Sequence, residues 1–280
     1  MNPKIRHPLL AMAAILTTSS SACAQADVTS YVRYGSADGP RYGVVADGLI
    51  HDLSAAPWSG GQATGTTIPF EGADLLAPVQ PGKVIAVGLN YRSHLGGREP
   101  SEYPGLFAKF PSAIVGPGAD IVLPPDSENV HYEGELVLVI GKTAKAVSQE
   151  DARSHIFGVT AGNDVSERNW QAADLQWFRA KASDTFGPVG PVVVAGLDSD
   201  ALLVQTRLNG EVRQSESSAD LIFDTSQIVS YVSQYVTLEP GDIIFTGTPG
   251  TTAAMQAGDV VEIEVEGVGV LRNTVVASNN

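Results

Sequence analysis

The strongest limit on how this chain can fold is a series of short, continuous apolar runs. Lys83-Val-Ile-Ala-Val-Gly88, Leu136-Val-Leu-Val-Ile140, Val192-Val-Val194 and Asp242-Ile-Ile-Phe-Thr246 are too short for buried helices. Strands covered on both faces read this way, with little alternation. Between the runs lie most of the 29 glycines and 17 prolines, which interrupt helices and close tight turns. Nearer the start, Ser30–Tyr34 and Arg41–Val45 alternate as small antiparallel strands do. The stretch Ala56–Pro69 is rich in Pro, Ser, Thr and Gly, almost uncharged, and reads as a loop or linker. Asn209-Gly210, between Gln205–Leu208 and Glu211–Gln214, predicts a hairpin, because this pair accepts the positive φ values of a type I′ turn. Asp259–Val265 and Val270–Val276 predict a closing strand pair. Helices are few: one starts at Ser148 with Asp151, and another follows Thr225-Ser226, where Ile228, Val229, Val232 and Tyr235 keep helical spacing. The expected class is mainly β (α+β).

The N-terminus carries a different pattern. Basic Lys4 and Arg6 precede the apolar run Pro8–Leu16, which is shorter than the roughly 20 residues that span a bilayer. With Ala22-Cys23-Ala24 behind it, the segment reads as a secretory signal peptide cut after Ala24. Residues 1–24 are therefore assigned to the signal, 25–78 to a small N-terminal β domain with its linker, and 79–280 to a catalytic domain. The expected location is the periplasm. A lipid anchor on Cys23 is the lesser alternative, since Ser20 stands where a lipoprotein signal prefers an aliphatic residue. Cleavage removes two positive charges and no acid, taking the net charge from −14 to −16. Such a surface argues against nucleic acid and anionic membrane partners. The single cysteine excludes an internal disulfide framework and a thiolate zinc site.

Chemistry concentrates in a few segments. In His131-Tyr-Glu133-Gly-Glu135, the two glutamates at i and i+2 of a strand share one side. Held together at the mouth of a buried strand, they need a positive partner, although Glu-x-Glu also describes an exposed edge with two solvated acids. Asp164, ending an apolar strand, offers a third carboxylate. Arg168 and Gln171 follow at i+4 and i+7, on a helix that Ser166 is placed to cap, and supply donors for a substrate carboxylate or carbonyl. An all-oxygen set favours Mg²⁺, Mn²⁺ or Ca²⁺ over zinc. Lys181 is either a cation for a developing oxyanion or a solvated lysine. His94, on a loop after the Lys83–Gly88 strand, is the leading general base. Thr248, in Thr246-Gly-Thr-Pro-Gly250, is suited to holding a carboxylate.

The order of these segments is more specific than any one of them. Gly88-Leu-Asn-Tyr-Arg-Ser-His94, Lys109-Phe-Pro-Ser-Ala-Ile-Val-Gly, Tyr132-Glu-Gly-Glu-Leu-Val-Leu-Val-Ile-Gly and Asn163-Asp-Val-Ser-Glu-Arg168 occur in sequence. Arg179-Ala-Lys-Ala-Ser-Asp-Thr-Phe, Leu238-Glu-Pro-Gly-Asp-Ile-Ile-Phe-Thr-Gly-Thr-Pro249 and Gly267-Val-Gly-Val-Leu-Arg-Asn273 follow. Together they resemble the fumarylacetoacetate hydrolase family over about residues 80–276. The resemblance implies a mixed β-roll catalytic domain behind a small antiparallel β domain, usually in a homodimer. It also implies divalent-metal chemistry, with Mg²⁺ or Mn²⁺, on small 2-oxo and β-diketo acids. On matching positions it makes Glu133, Glu135 and Asp164 the metal ligands. Arg168, Gln171, Lys181 and Thr248 become substrate or oxyanion contacts, and Thr185 lies in the motif around the metal.

The first expectation is hydrolysis of a C–C bond in an acylpyruvate-like acid by water that His94 activates. One departure weighs against it. Hydrolytic relatives place a glutamate three residues after the histidine, where this chain has Gly97. Glu99 and Glu102, on the same loop, are the available replacements. The second expectation, a decarboxylase, isomerase or hydratase on the same site, needs no such acid. The third is a non-catalytic binder of dicarboxylates.

Overall fold

The protein is described by a computed structural model covering residues 28–278. The signal peptide read at 1–24, with Cys23, lies outside the described residues. The strands are β1 Thr29–Tyr34, β2 Arg41–Ala46, β3 Leu49–Leu53, β4 Ala63–Pro69, β5 Val84–Gly88 and β6 Gly105–Lys109. Next come β7 Ile114–Val115, β8 Asp120–Leu123, β9 Val130–His131, β10 Gly134–Ile140, β11 Ile156–Asn163 and β12 Ser166–Glu167. The rest are β13 Gly187–Ala195, β14 Leu203–Leu208, β15 Glu211–Ser217, β16 Ile243–Phe245, β17 Val260–Val265 and β18 Gly269–Ala277. The helices are short: α1 Gln149–Ala152, α2 Arg168–Ala173, α3 Phe178–Ala182 and α4 Thr225–Tyr235.

The architecture is mainly β, as expected. A mixed sheet runs β4-β3-β2-β1-β13-β11-β10-β16-β5-β6, with β7 beside β13. A second sheet, β15-β14-β17-β18-β8, packs across β10, β11 and β13. The central strand β10 shows why its sequence does not alternate. Leu136, Leu138 and Ile140 enter one buried cluster with Val204, Ile263 and Leu271. Val137 and Val139 enter another, with Val84, Ile243 and Phe245. Both faces are covered, so every position is apolar. The Asn209-Gly210 turn has φ values of 54° and 81°, and it joins β14 to β15 as expected.

One local expectation changes. Ala56–Pro69 is not simply a linker: a 3₁₀ turn at Pro57–Ser59 leads into β4, which pairs with β3. That strand is polar because it is the exposed outer strand of the sheet, where Thr66 and Thr67 suit the extended backbone without needing burial. The N-terminal strands also extend the main sheet, because β1 pairs with β13.

Near the site, Asn90 ties the segment after β5 to the end of β16 and to the segment before α4. Its Nδ2 donates to Phe223 O at 3.0 Å and Thr246 O at 2.8 Å, and its Oδ1 accepts from Phe223 N at 2.9 Å. Asn90→Ala leaves three backbone groups without their partner, Thr246 O buried and the two of Phe223 part-buried, so thermal unfolding should show a loss of about 3 kcal/mol. A loss below about 1 kcal/mol would mean that water replaces the side chain.

Candidate active site

Four adjacent strands, β11-β10-β16-β5, end at one place and deliver the chemical groups. Glu135 opens β10 on the same face as Val137, and Glu133 stands two residues before it. Gly134 between them allows close packing, because a Cβ there would strike Thr206 Oγ1. β11 pairs with β10 and delivers Asp164, whose backbone N–H donates to Glu133 O at 2.9 Å. β16, on the other side of β10, delivers Thr246-Gly247-Thr248, and Gly247 N donates to Glu135 Oε2 at 2.7 Å. β5 leads into the 3₁₀ turn Arg92–His94. A cavity of about 560 Å³ opens above this end.

Eight of the residues singled out in the sequence line that cavity: His94, Glu133, Glu135, Asp164, Arg168, Gln171, Lys181 and Thr248. The carboxylates are not an exposed edge. Glu133, Glu135 and Asp164 keep only 4%, 2% and 1% of their surface, and one oxygen from each lies within 4.8 Å of the others. Lys181 Nζ, on α3, donates to Glu133 Oε2 and to Asp164 Oδ2, both at 2.6 Å. Arg168 donates to Glu133 Oε1 at 2.5 Å and to Gln171 Oε1 at 2.7 Å. His94 Nδ1 lies 2.6 Å from Gly250 O. A carbonyl only accepts, so Nδ1 carries the proton and Nε2 is left as the basic nitrogen. That Nε2 is 3.7 Å from Glu133 Oε1.

The electrostatics separate the carboxylates. Burial pushes Glu133 up, but Lys181 and Arg168 outweigh it and hold the group well below the usual carboxylate range. Burial, with Asp164 and Glu133 nearby, pushes Glu135 well above that range. Burial opposes the charge on Lys181, yet Asp164 and Glu133 hold its pKa above the ordinary lysine value. The set fits a divalent hard cation: its donors are carboxylate oxygens, it is buried, and the Glu135 carboxylate, which accepts from Gly247 N–H, keeps lone pairs for a cation.

Several readings from sequence are corrected here. Ser166 does not cap α2. It pairs with His131 in a two-strand bridge and donates to Asp164 O, while Glu167 caps the helix by accepting from Trp170 N at 2.6 Å. The Thr248 hydroxyl is engaged by protein groups, donating to Gly134 O and accepting from Gln214 Nε2. Thr185 Oγ1 accepts from Val122 N and lies outside the cavity lining. Glu99 and Glu102 are exposed and also outside the lining. His131 is bound between Thr252 and Asn129, and burial with Arg168 nearby lowers its pKa to about 4.

Sequence reasoning gave no role to Lys109. Its ammonium is buried at the end of β6 and donates to Asp164 Oδ1 at 2.5 Å and to the backbone carbonyl of Lys181. Lys109 opens one of the segments that carry the family resemblance, but a lysine closing a short strand reads as a surface residue, so no local signal marks its burial. Arg98, Phe107 and Trp177 were likewise not singled out, and they line the cavity.

Residues 83–276 match the model for "Fumarylacetoacetate (FAA) hydrolase C-terminal", and residues 30–78 match "Rv2993c-like, N-terminal". The chain belongs to the fumarylacetoacetate hydrolase family. It is 43% identical over 225 residues to the mitochondrial oxaloacetate tautomerase FAHD2A of Bos taurus, covering 75% of this chain and 71% of that one. The structure of 5-carboxymethyl-2-hydroxymuconate delta-isomerase from Mycobacterium smegmatis superposes with a TM-score of 0.84 at 41% identity, covering 89% and 100%. Fumarylacetoacetate hydrolase from Exiguobacterium antarcticum gives 0.81 at 34% identity, with the same coverage. The family thus holds relatives that move protons and relatives that cleave bonds.

Proposed function

We propose that this protein is a divalent-metal-dependent enzyme that interconverts the keto and enol forms of a 2-oxo acid. The observation that carries this reading is the placement of His94: a basic Nε2 in the cavity whose neighbouring carboxylate, Glu133 at 3.7 Å, is already held by Arg168 and Lys181. Cation binding at Glu133, Glu135 and Asp164 would supply positive charge to the two oxygens of a 2-oxo acid. The other steps belong to the chain. Lys181 uses two of its three N–H groups on Glu133 and Asp164, so the third is free for the oxygen on which enolate charge develops. Arg168 occupies the Gln171 carbonyl oxygen and so leaves the amide N–H groups free for the substrate carboxylate. His94 Nε2 removes the proton from the carbon beside the carbonyl and returns it in the reverse direction, while the enol oxygen exchanges its own proton with water in the cavity. Gly250 O steadies the imidazolium through Nδ1–H.

Hydrolysis, the first expectation from sequence, remains the second reading, and the likeness to the Exiguobacterium enzyme favours it. It needs the same enolate and also an activated water. The carboxylate near His94 is Glu133, which Arg168 and Lys181 already hold. Proton transfer asks less of this site.

The test incubates Mn²⁺-reconstituted protein with enol-oxaloacetate and, separately, with acetylpyruvate, reading both by NMR. The expected result is metal-dependent enol-to-keto conversion with no acetate. Acetate plus pyruvate would replace the reading with hydrolysis. Ligand-dependent thermal stabilisation without turnover of either acid would replace it with a binding protein.

The proposal includes a homodimer and export to the periplasm. The dimer is supported by exposed Leu106, Phe110, Leu175 and Phe178 beside β6, the last strand of the sheet. Export rests on the N-terminal pattern. Among the described residues, no helix is long and apolar enough to cross a membrane.

A further inference from the structure

Lys109 is a buried charged group in contact with the carboxylate set that the proposed chemistry does not use. Its side chain is 0% exposed, it lies outside the cavity lining, and it reaches Asp164 from behind. Lys109 takes Oδ1 and Lys181 takes Oδ2, so Asp164 lies between two ammonium groups. Substrate cannot reach Lys109, so direct catalysis is not its role. A purely structural tie is also a poor account, because a buried lysine is costly to desolvate and neutral donors could hold a carbonyl and one carboxylate oxygen.

The charges of the site give a better account. Once ionised to hold a cation, Glu133, Glu135 and Asp164 bring three negative charges, and Lys109, Lys181 and Arg168 bring three positive ones. We propose that Lys109 is a buried countercharge that cancels the ionised carboxylate set as it takes up a cation. The two charges of the cation are then left for the substrate to neutralise. A doubly negative 2-oxo acid and the cation therefore bind as a pair, each strengthening the other. Without Lys109 the set keeps one net negative charge, holds the cation more tightly alone, and gains less from the dianion. The inference rests on the proposed reading that these carboxylates hold a divalent cation.

The test is Mn²⁺ titration of the chelator-stripped full-length protein, followed by EPR of free Mn²⁺. It is run alone, with oxalate as a dianion, and with pyruvate as a monoanion. In the wild type, saturating oxalate should tighten Mn²⁺ binding at least tenfold, and pyruvate should do so less. Lys109→Met should bind Mn²⁺ alone at least fivefold more tightly than the wild type and show a smaller oxalate effect. Lys109→Arg, which keeps the charge, should behave as the wild type. Added Mn²⁺ should also raise the Tm of Lys109→Met more than that of the wild type, since it replaces the missing charge. If Lys109→Met does not fold, Lys109→Gln takes its place, and Lys109→Arg still tests retention. Equal or weaker Mn²⁺ binding by the neutral variant overturns the countercharge role and leaves the proposed function standing. Absence of Mn²⁺ binding by the wild type overturns both.

Discussion

Glu135→Gln is expected to make the metal-free protein more stable and turnover about 10²–10³-fold slower. Glu135 is buried and takes one backbone hydrogen bond, from Gly247 N–H. Unlike Glu133 and Asp164, it has no lysine or arginine in contact among the described residues. Its pKa is raised by burial and then by Asp164 and Glu133. A carboxyl raised in the folded state holds its proton more tightly there than in the unfolded chain. Its contribution to stability is therefore complete below the ordinary carboxylate value of 4.5 and is lost as pH rises through the folded value. The Tm values of metal-free wild type and Glu135→Gln should coincide near pH 4 and separate at higher pH, with the variant higher. Saturating Mn²⁺ should reverse the order, because only the wild type gains the ligand. Equal Tm values at pH 8 in metal-free protein would show that Glu135 carries no such cost.

The second large effect concerns His94. His94→Asn is expected to lower kcat by about 10²–10⁴-fold, the range associated with a lost general base. Asparagine places an amide N–H near the Nδ1 position and can keep the bond to Gly250 O, which is 2.6 Å in the wild type. It offers no basic nitrogen toward the cavity. Mn²⁺ affinity should stay within about twofold, since His94 is 3.7 Å from Glu133 and outside the carboxylate set. A kcat within about tenfold of the wild type would remove His94 from proton transfer.

Much of the architecture was legible because each apolar run has one physical reading. Strand β10 had to be covered on both faces, and the Asn209-Gly210 turn had to close a hairpin. The site was legible through order along the chain, since strand ends that converge in space each carry one weak signal. What stayed hidden depends on three-dimensional burial. Lys109 has the sequence context of a surface lysine, and only the pairing of β6 with β5 places its ammonium behind Asp164. The polar stretch in β4 concealed a strand because outer strands need not be apolar. Glu167 took the capping position from Ser166 because a carboxylate satisfies the helix N–H groups equally well, and Ser166 is engaged in the bridge to His131.

The central claim is that a cation on Glu133, Glu135 and Asp164 lets His94 move a proton at the carbon beside a 2-oxo group. Its most direct measurement is deuterium entry at that carbon, followed by NMR of a 2-oxo acid in D₂O with metal-free and Mn²⁺-loaded protein. The account predicts exchange far above the protein-free rate with Mn²⁺, none above that rate without it, and exchange at least about 10²-fold slower in His94→Asn. Exchange that persists in metal-free protein, or that stays within about tenfold of the wild-type rate in His94→Asn with Mn²⁺ bound, would contradict it.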